Sequence, residues 1–97
     1  MRLFEFKDKD DITIYLTKER WSHISIEHPE IASYIKEFNE ILNNPTKIID
    51  YYNDNKVKYY YKYFKDRKEK SKYLLVIVKY LNGEGFIITT YFVRNIK

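Results

Sequence analysis

Apolar and polar side chains alternate along residues 2–6 and again along 12–16, as in strands buried on one face, and the charged stretch Lys7-Asp8-Lys9-Asp10-Asp11 separates the two. This pattern predicts a short hairpin at a sheet edge. From Thr17, a residue suited to capping a helix, the spacing lengthens. Trp21, Ile24 and His28 recur at helical intervals in a helix through about Ile26, with Arg20, His23 and Glu27 on an adjacent face. Pro29 breaks that helix and suits the first position of a second one, whose apolar stripe is Ile31, Tyr34, Ile35, Phe38, Ile41 and Leu42. Asn43-Asn44-Pro45 ends it, because the residue ahead of a proline is pushed out of helical geometry.

After Pro45 the period is two. Strands are expected at about 46–52, 57–65, 72–81 and 85–93, separated by Asn53-Asp54-Asn55-Lys56, by the segment from Asp66 to Ser71, and by a turn around Asn82-Gly83-Glu84-Gly85. In the second of these strands Val57, Tyr59, Tyr61 and Tyr63 share one face, while Lys58, Tyr60, Lys62 and Phe64 share the other. Tyr73-Leu74-Leu75-Val76-Ile77-Val78 is apolar on both faces and belongs in mid-sheet. The expected fold class is α+β: one domain over residues 1–97, with a short N-terminal hairpin, two helices, and a four-stranded antiparallel β-meander covered on one face.

Charge sharpens this picture. The 97-residue chain has a formal net charge of +4, but the segment from Lys56 to Lys72 holds eight basic residues against Asp66 and Glu69. So concentrated a positive segment attracts polyanions, nucleic acid above all. Lys58, Lys65, Arg67 and Lys72, with the Tyr60 ring and Arg20 from the first helix, are the candidate RNA contacts; a solvated hairpin whose lysines only maintain solubility is the alternative. There is no cysteine, hence no disulfide, thiolate zinc site or cysteine nucleophile. The N-terminal residues lack the apolar run of a signal peptide and no stretch is long enough to cross a bilayer, so a soluble, cytoplasmic protein is expected.

Both histidines and the only tryptophan fall between Trp21 and His28. Histidine is the side chain best suited to moving protons near neutral pH, which makes this stretch the first candidate for chemistry. The histidines are five residues apart and would point about 140° from each other on one helix, so they need not act together. His28 has a structural alternative: it could cap the second helix or fill the apolar side beside Trp21 and Ile24. Neither histidine lies in a metal-ligand pattern, the two glycines, Gly83 and Gly85, form no phosphate loop, and no serine has a nucleophile-elbow setting. No metal and no cofactor are therefore expected. Acid-base chemistry on a polyanion remains open, since RNA brings its own nucleophile, the 2'-hydroxyl, and asks of the protein only a proton acceptor, a donor and groups around the phosphate.

Arg20-Trp21-Ser22-His23-Ile24, His28-Pro29-Glu30, Tyr60-Tyr61-Lys62, the run from Tyr73 to Val78, and Gly85-Phe86-Ile87-Ile88-Thr89-Thr90-Tyr91 resemble, in order and spacing, the small phage-associated nuclease-like domains. Those domains are grouped with barnase, EndoU, colicin-type and RelE-type ribonucleases as the BECR fold. The resemblance implies metal-independent RNA cleavage, often by a toxin paired with an antitoxin or immunity protein. It also implies roles: His28 as acid or base, Lys62 as the phosphate-stabilising cation, Thr89 as an orienting hydroxyl, and His23 as a second proton carrier. Similar sequences often have arginine at Lys62, and lysine lacks that bidentate fork. Two other classes fit the same residues: a non-catalytic RNA- or ribosome-binding module, and a phage-related protein-interaction domain.

Overall fold

A computed structural model describes all 97 residues. The chain runs through β1 (Arg2–Lys7), β2 (Thr13–Thr17), α1 (Lys18–Glu27), a 3-10 helix (Pro29–Glu37), α2 (Phe38–Asn43), β3 (Lys47–Asp50), β4 (Val57–Tyr63), β5 (Tyr73–Leu81) and β6 (Glu84–Val93). Thr17 caps α1 through its side chain, which accepts from the Arg20 N–H at 3.1 Å. The expected second helix is divided. Its first nine residues wind as a 3-10 helix from Pro29, and only Phe38–Asn43 are α-helical. Ile31, Phe38, Ile41 and Leu42 are nonetheless fully buried, so the apolar stripe does its packing in spite of the tighter winding.

The sheet corrects the expected architecture. The meander is present, but the N-terminal hairpin continues it, giving a six-stranded mixed sheet in the order β1-β2-β6-β5-β4-β3. β2 lies parallel to β6, with Ile14 opposite Gly85 and Tyr15 opposite Phe86. Gly85 leaves room at this junction, since a Cβ there would come within 2.7 Å of the Ile14 Cδ1 and 3.0 Å of the Val78 Cγ1 and these buried side chains would have to shift. The neighbouring turn is made by Asn82 and Gly83, both at positive φ, a conformation that suits a two-residue hairpin loop.

Two cores lie on opposite faces of this sheet. On one face Leu74, Val76, Val78 and Ile87 pack with Ile14 and Leu16 under Ile24, Ile31, Phe38, Ile41 and Leu42 of the helices. The other face has no helix. There Val57, Tyr61, Leu75 and Ile77 are buried beneath neighbouring side chains, chiefly Ile49, Tyr51, Tyr59, Tyr73, Tyr91 and Ile96. We call it the tyrosine face. The residues after β6 fold back onto it, and the Lys97 backbone reaches the Tyr61 hydroxyl.

A bulge in β6 decides which residues reach that face. Ile77 is opposite Thr89 but Val78 is opposite Ile87, leaving Ile88 unpaired. Ile87 therefore enters the helix-side core, while Thr89 and Tyr91 turn to the tyrosine face. Without the extra residue, strict alternation would put Ile87, Thr89 and Tyr91 on one side.

Candidate active site

His28 closes α1, its N–H donating to the Ile24 carbonyl at 2.7 Å, and its side chain makes no capping bond to the 3-10 helix that follows. The ring neither fills the apolar side next to Trp21 nor enters the helical core. It stacks on Tyr91, centroids 5.3 Å apart and planes 23° from parallel. Trp21 instead meets Phe4 edge-on at 5.8 Å. The turn from α1 into Pro29 thus delivers a half-buried imidazole to the edge of the tyrosine face, beside β6 where β2 no longer pairs with it. Thr89 lies two residues from Tyr91 on the same face. His28 and Thr89 are therefore brought to one side of the sheet.

Lys62 is not brought there. It is opposite Leu74, on the helix-covered face, and its ammonium donates to the Asn44 carbonyl at 2.7 Å and pairs with Glu40 at 3.5 Å. Asn44 ends α2, so Lys62 satisfies an orphan carbonyl at the negative end of that helix. The Asn44 side chain, and then Lys62, hold the Glu40 carboxyl below the usual glutamate range. The resemblance assigns His28 and Lys62 to one reaction, which would need them in one cleft; strand alternation instead puts the two on opposite faces of the sheet.

The candidate RNA contacts divide in the same way. Tyr60 is 2% exposed and its hydroxyl meets that of Tyr80 at 2.5 Å. Tyr80 in turn donates to Asp8, a buried carboxylate that also accepts from the N–H groups of Asp10 and Ile12. Burial pushes both phenols above the usual tyrosine value, Tyr80 further through its bond to Tyr60. Tyr60 thus serves a buried chain of hydrogen bonds, with no ring free for a base. Lys58 pairs with Asp50 at 2.6 Å. Arg67 lies over the Phe92 ring at 3.6 Å and donates to the Ser71 carbonyl, and Lys72 donates to the carbonyls of Lys65 and Arg67, so these two cations brace the β4–β5 loop. Lys65, Arg20 and His23 are exposed and their side chains form no ion pair or hydrogen bond.

Register assembles a row across the tyrosine face that sequence reasoning missed. Lys47 is opposite Tyr61, Tyr61 opposite Leu75, and Leu75 opposite Tyr91, on which His28 stacks. Beside this row Tyr63 meets Tyr73 at 5.1 Å and Tyr51 stacks on Tyr59 at 5.7 Å, the rings 4° from parallel. Burial, with Tyr51 adding to it, pushes the Tyr59 phenol above its ordinary value. The signal for Tyr91 was present in the Thr-x-Tyr motif, whose two side chains share a face by the period of two. Lys47 carried no such signal.

The family model described as phage-Barnase-EndoU-ColicinE5/D-RelE like nuclease2 matches residues 3–97. The chain belongs to that nuclease family. No curated protein and no solved structure matches it. Membership of a phage nuclease family makes nucleic acid the substrate class to consider. The helix-free side carries an imidazole, two hydroxyls on one strand, and flat rings. No helix of the protein is long and apolar enough to cross a membrane.

Proposed function

We propose that the protein is a metal-independent endoribonuclease whose reaction takes place at the His28 edge of the tyrosine face. The observation that carries this reading is the stack of His28 on Tyr91, with Thr89 beside it on the same face. In the step envisaged, the RNA 2'-oxygen attacks the adjacent phosphorus and its proton passes to the His28 imidazole. The bond from phosphorus to the 5'-oxygen breaks, and that oxygen takes a proton from a second donor, the Tyr91 hydroxyl or His23. The products are a 2',3'-cyclic phosphate and a free 5'-hydroxyl. Thr89 donates a hydrogen bond to a phosphate oxygen. Lys47 lies three strand spacings away, about 14 Å, and holds a neighbouring phosphate rather than the one that reacts.

The test is incubation of the purified protein with single-stranded RNA in excess chelator, in parallel with the same sequence as DNA. RNA should be cut to cyclic-phosphate ends and DNA left whole. His28→Ala should abolish cutting, and His23→Ala and Tyr91→Phe should rank the two proton donors. Salt-sensitive binding with the RNA left intact would instead make this a binding module. We further read the protein as a toxin with a dedicated inhibitor, because unrestrained RNA cleavage harms the cell that makes it. Induced expression should arrest growth, and His28→Ala should relieve the arrest.

A further inference from the structure

The β3–β4 end of the tyrosine face holds a pocket of about 240 Å³ lined by Ile49, Asp50, Tyr51, Tyr52, Tyr59 and Lys97. We propose that this pocket is a base-binding subsite, taking one nucleobase of the single strand whose backbone crosses the face toward His28. The inference rests on the nuclease reading for its class of ligand. Ile49, Tyr51 and Tyr59 also cover the core of this face, but Tyr52 has no part in the packing. The Tyr52 ring is 87% exposed, far beyond what packing requires, and sits 5.2 Å from Tyr51, which is itself stacked on Tyr59. A flat apolar ring held out from a stack of two others is a platform for a further planar group.

The polar groups fit the same ligand. Asp50 pairs its carboxylate with Lys58, which sits on the helix-covered face. Its backbone is differently placed. The Tyr51 N–H bonds to the Val57 carbonyl, and pairs alternate along an antiparallel ladder, so the Asp50 N–H and C=O point outward from the edge strand β3. A donor and an acceptor side by side match the edge of a base. Lys97 on the rim and Lys47 two residues before Ile49 supply cations for the phosphates on either side. The pocket and His28 thus lie at opposite edges of one face, and a strand bound at both is held across β4 and β5.

The test uses the full chain and a short fluorescent single-stranded RNA, with His28→Ala present in the binding arm to prevent cutting. Tyr52→Ala should weaken binding about tenfold, the effect of losing one base stack, and Tyr52→Trp should restore it. In the cutting arm Tyr52→Ala should raise KM and leave kcat unchanged, and an abasic site at one position of the RNA should remove the difference between this variant and the wild-type protein. Equal binding with and without the Tyr52→Ala substitution overturns the subsite, even where His28→Ala abolishes cutting and the nuclease reading stands. Tyr52-dependent binding without any cutting supports the subsite while the nuclease reading falls. No binding of RNA at all overturns the subsite outright.

Discussion

The two faces of the sheet are built from alternate residues of the same strands, yet they differ in what their polar groups are free to do. On the helix-covered face three groups that the sequence offers for RNA are already engaged: Lys62 with the end of α2, Tyr60 with Tyr80, Arg67 with Phe92 and Ser71. No buried side-chain polar atom lacks a partner. On the tyrosine face His28 meets a ring rather than a counter-charge, stacking on Tyr91, and the ion pair of that side, Lys79 with Asp54, lies at the far end of β5. A basic residue next to a motif is therefore a poor guide to catalysis until its face is known. Lys62 and Tyr61 are neighbours in sequence, and one step along the chain separates a brace for a helix from a member of the candidate site.

The largest effect expected from this difference is catalytic. His28→Ala should lower the cleavage rate about 10²- to 10⁴-fold, the usual contribution of a positioned acid or base, while Lys62→Ala should leave the rate per folded molecule unchanged. Rates measured on both variants, normalised to folded protein by circular dichroism, decide the matter. A rate loss for Lys62→Ala as large as that for His28→Ala would overturn the division of roles. Next in size is the contrast between adjacent leucines of β5. Leu74 is sealed under the helices and Leu75 under a roof of tyrosines and Ile96. Leu74→Ala should cost toward the upper end of about 2–5 kcal/mol and Leu75→Ala toward the lower, since tyrosine side chains can settle into the space and a packed helix cannot. Denaturant unfolding of the two variants checks it. Smaller still, Lys62→Ala should cost about 1 kcal/mol by freeing the Asn44 carbonyl at the end of α2.

Much of this arrangement was legible in the sequence. The faces of β4 follow from a strict period of two, and the helical stripe from Ile31 to Leu42 is buried as its spacing requires. What escaped depended on contacts between distant segments. Where β2 docks parallel to β6, Gly85 leaves its side-chain space to Ile14, and a glycine near a turn reads first as part of the turn. The bulge at Ile88 is one residue in a run of β-branched and apolar side chains, each of which fits either face. That single residue decides whether Thr89 and Tyr91 join His28 or the core. The histidine itself was easy to find. Its partner ring was not, because a helix terminus and a strand 63 positions later come together only once the sheet is closed.

The smallest effect concerns acid and separates the two faces by their carboxylates. Asp54, in the loop before β4, accepts from the Lys56 N–H and pairs with Lys79, and these hold its carboxyl below the usual aspartate range. A carboxyl lowered in the folded state adds stability that is complete above its unfolded value near pH 4 and is lost as pH falls through the folded one. Asp54→Asn keeps an oxygen for the Lys56 N–H but carries no charge to titrate. Its melting temperature should therefore fall less steeply than that of the wild-type protein below about pH 4 and run parallel to it above pH 5. Glu40→Gln should flatten the same acid limb through the Asn44 and Lys62 contacts on the helix-covered side. The two substitutions share no partner, so their effects should add in the double variant. Thermal melts across that range measure both slopes, and a double variant no flatter than either single one would mean that the faces are coupled in acid rather than independent.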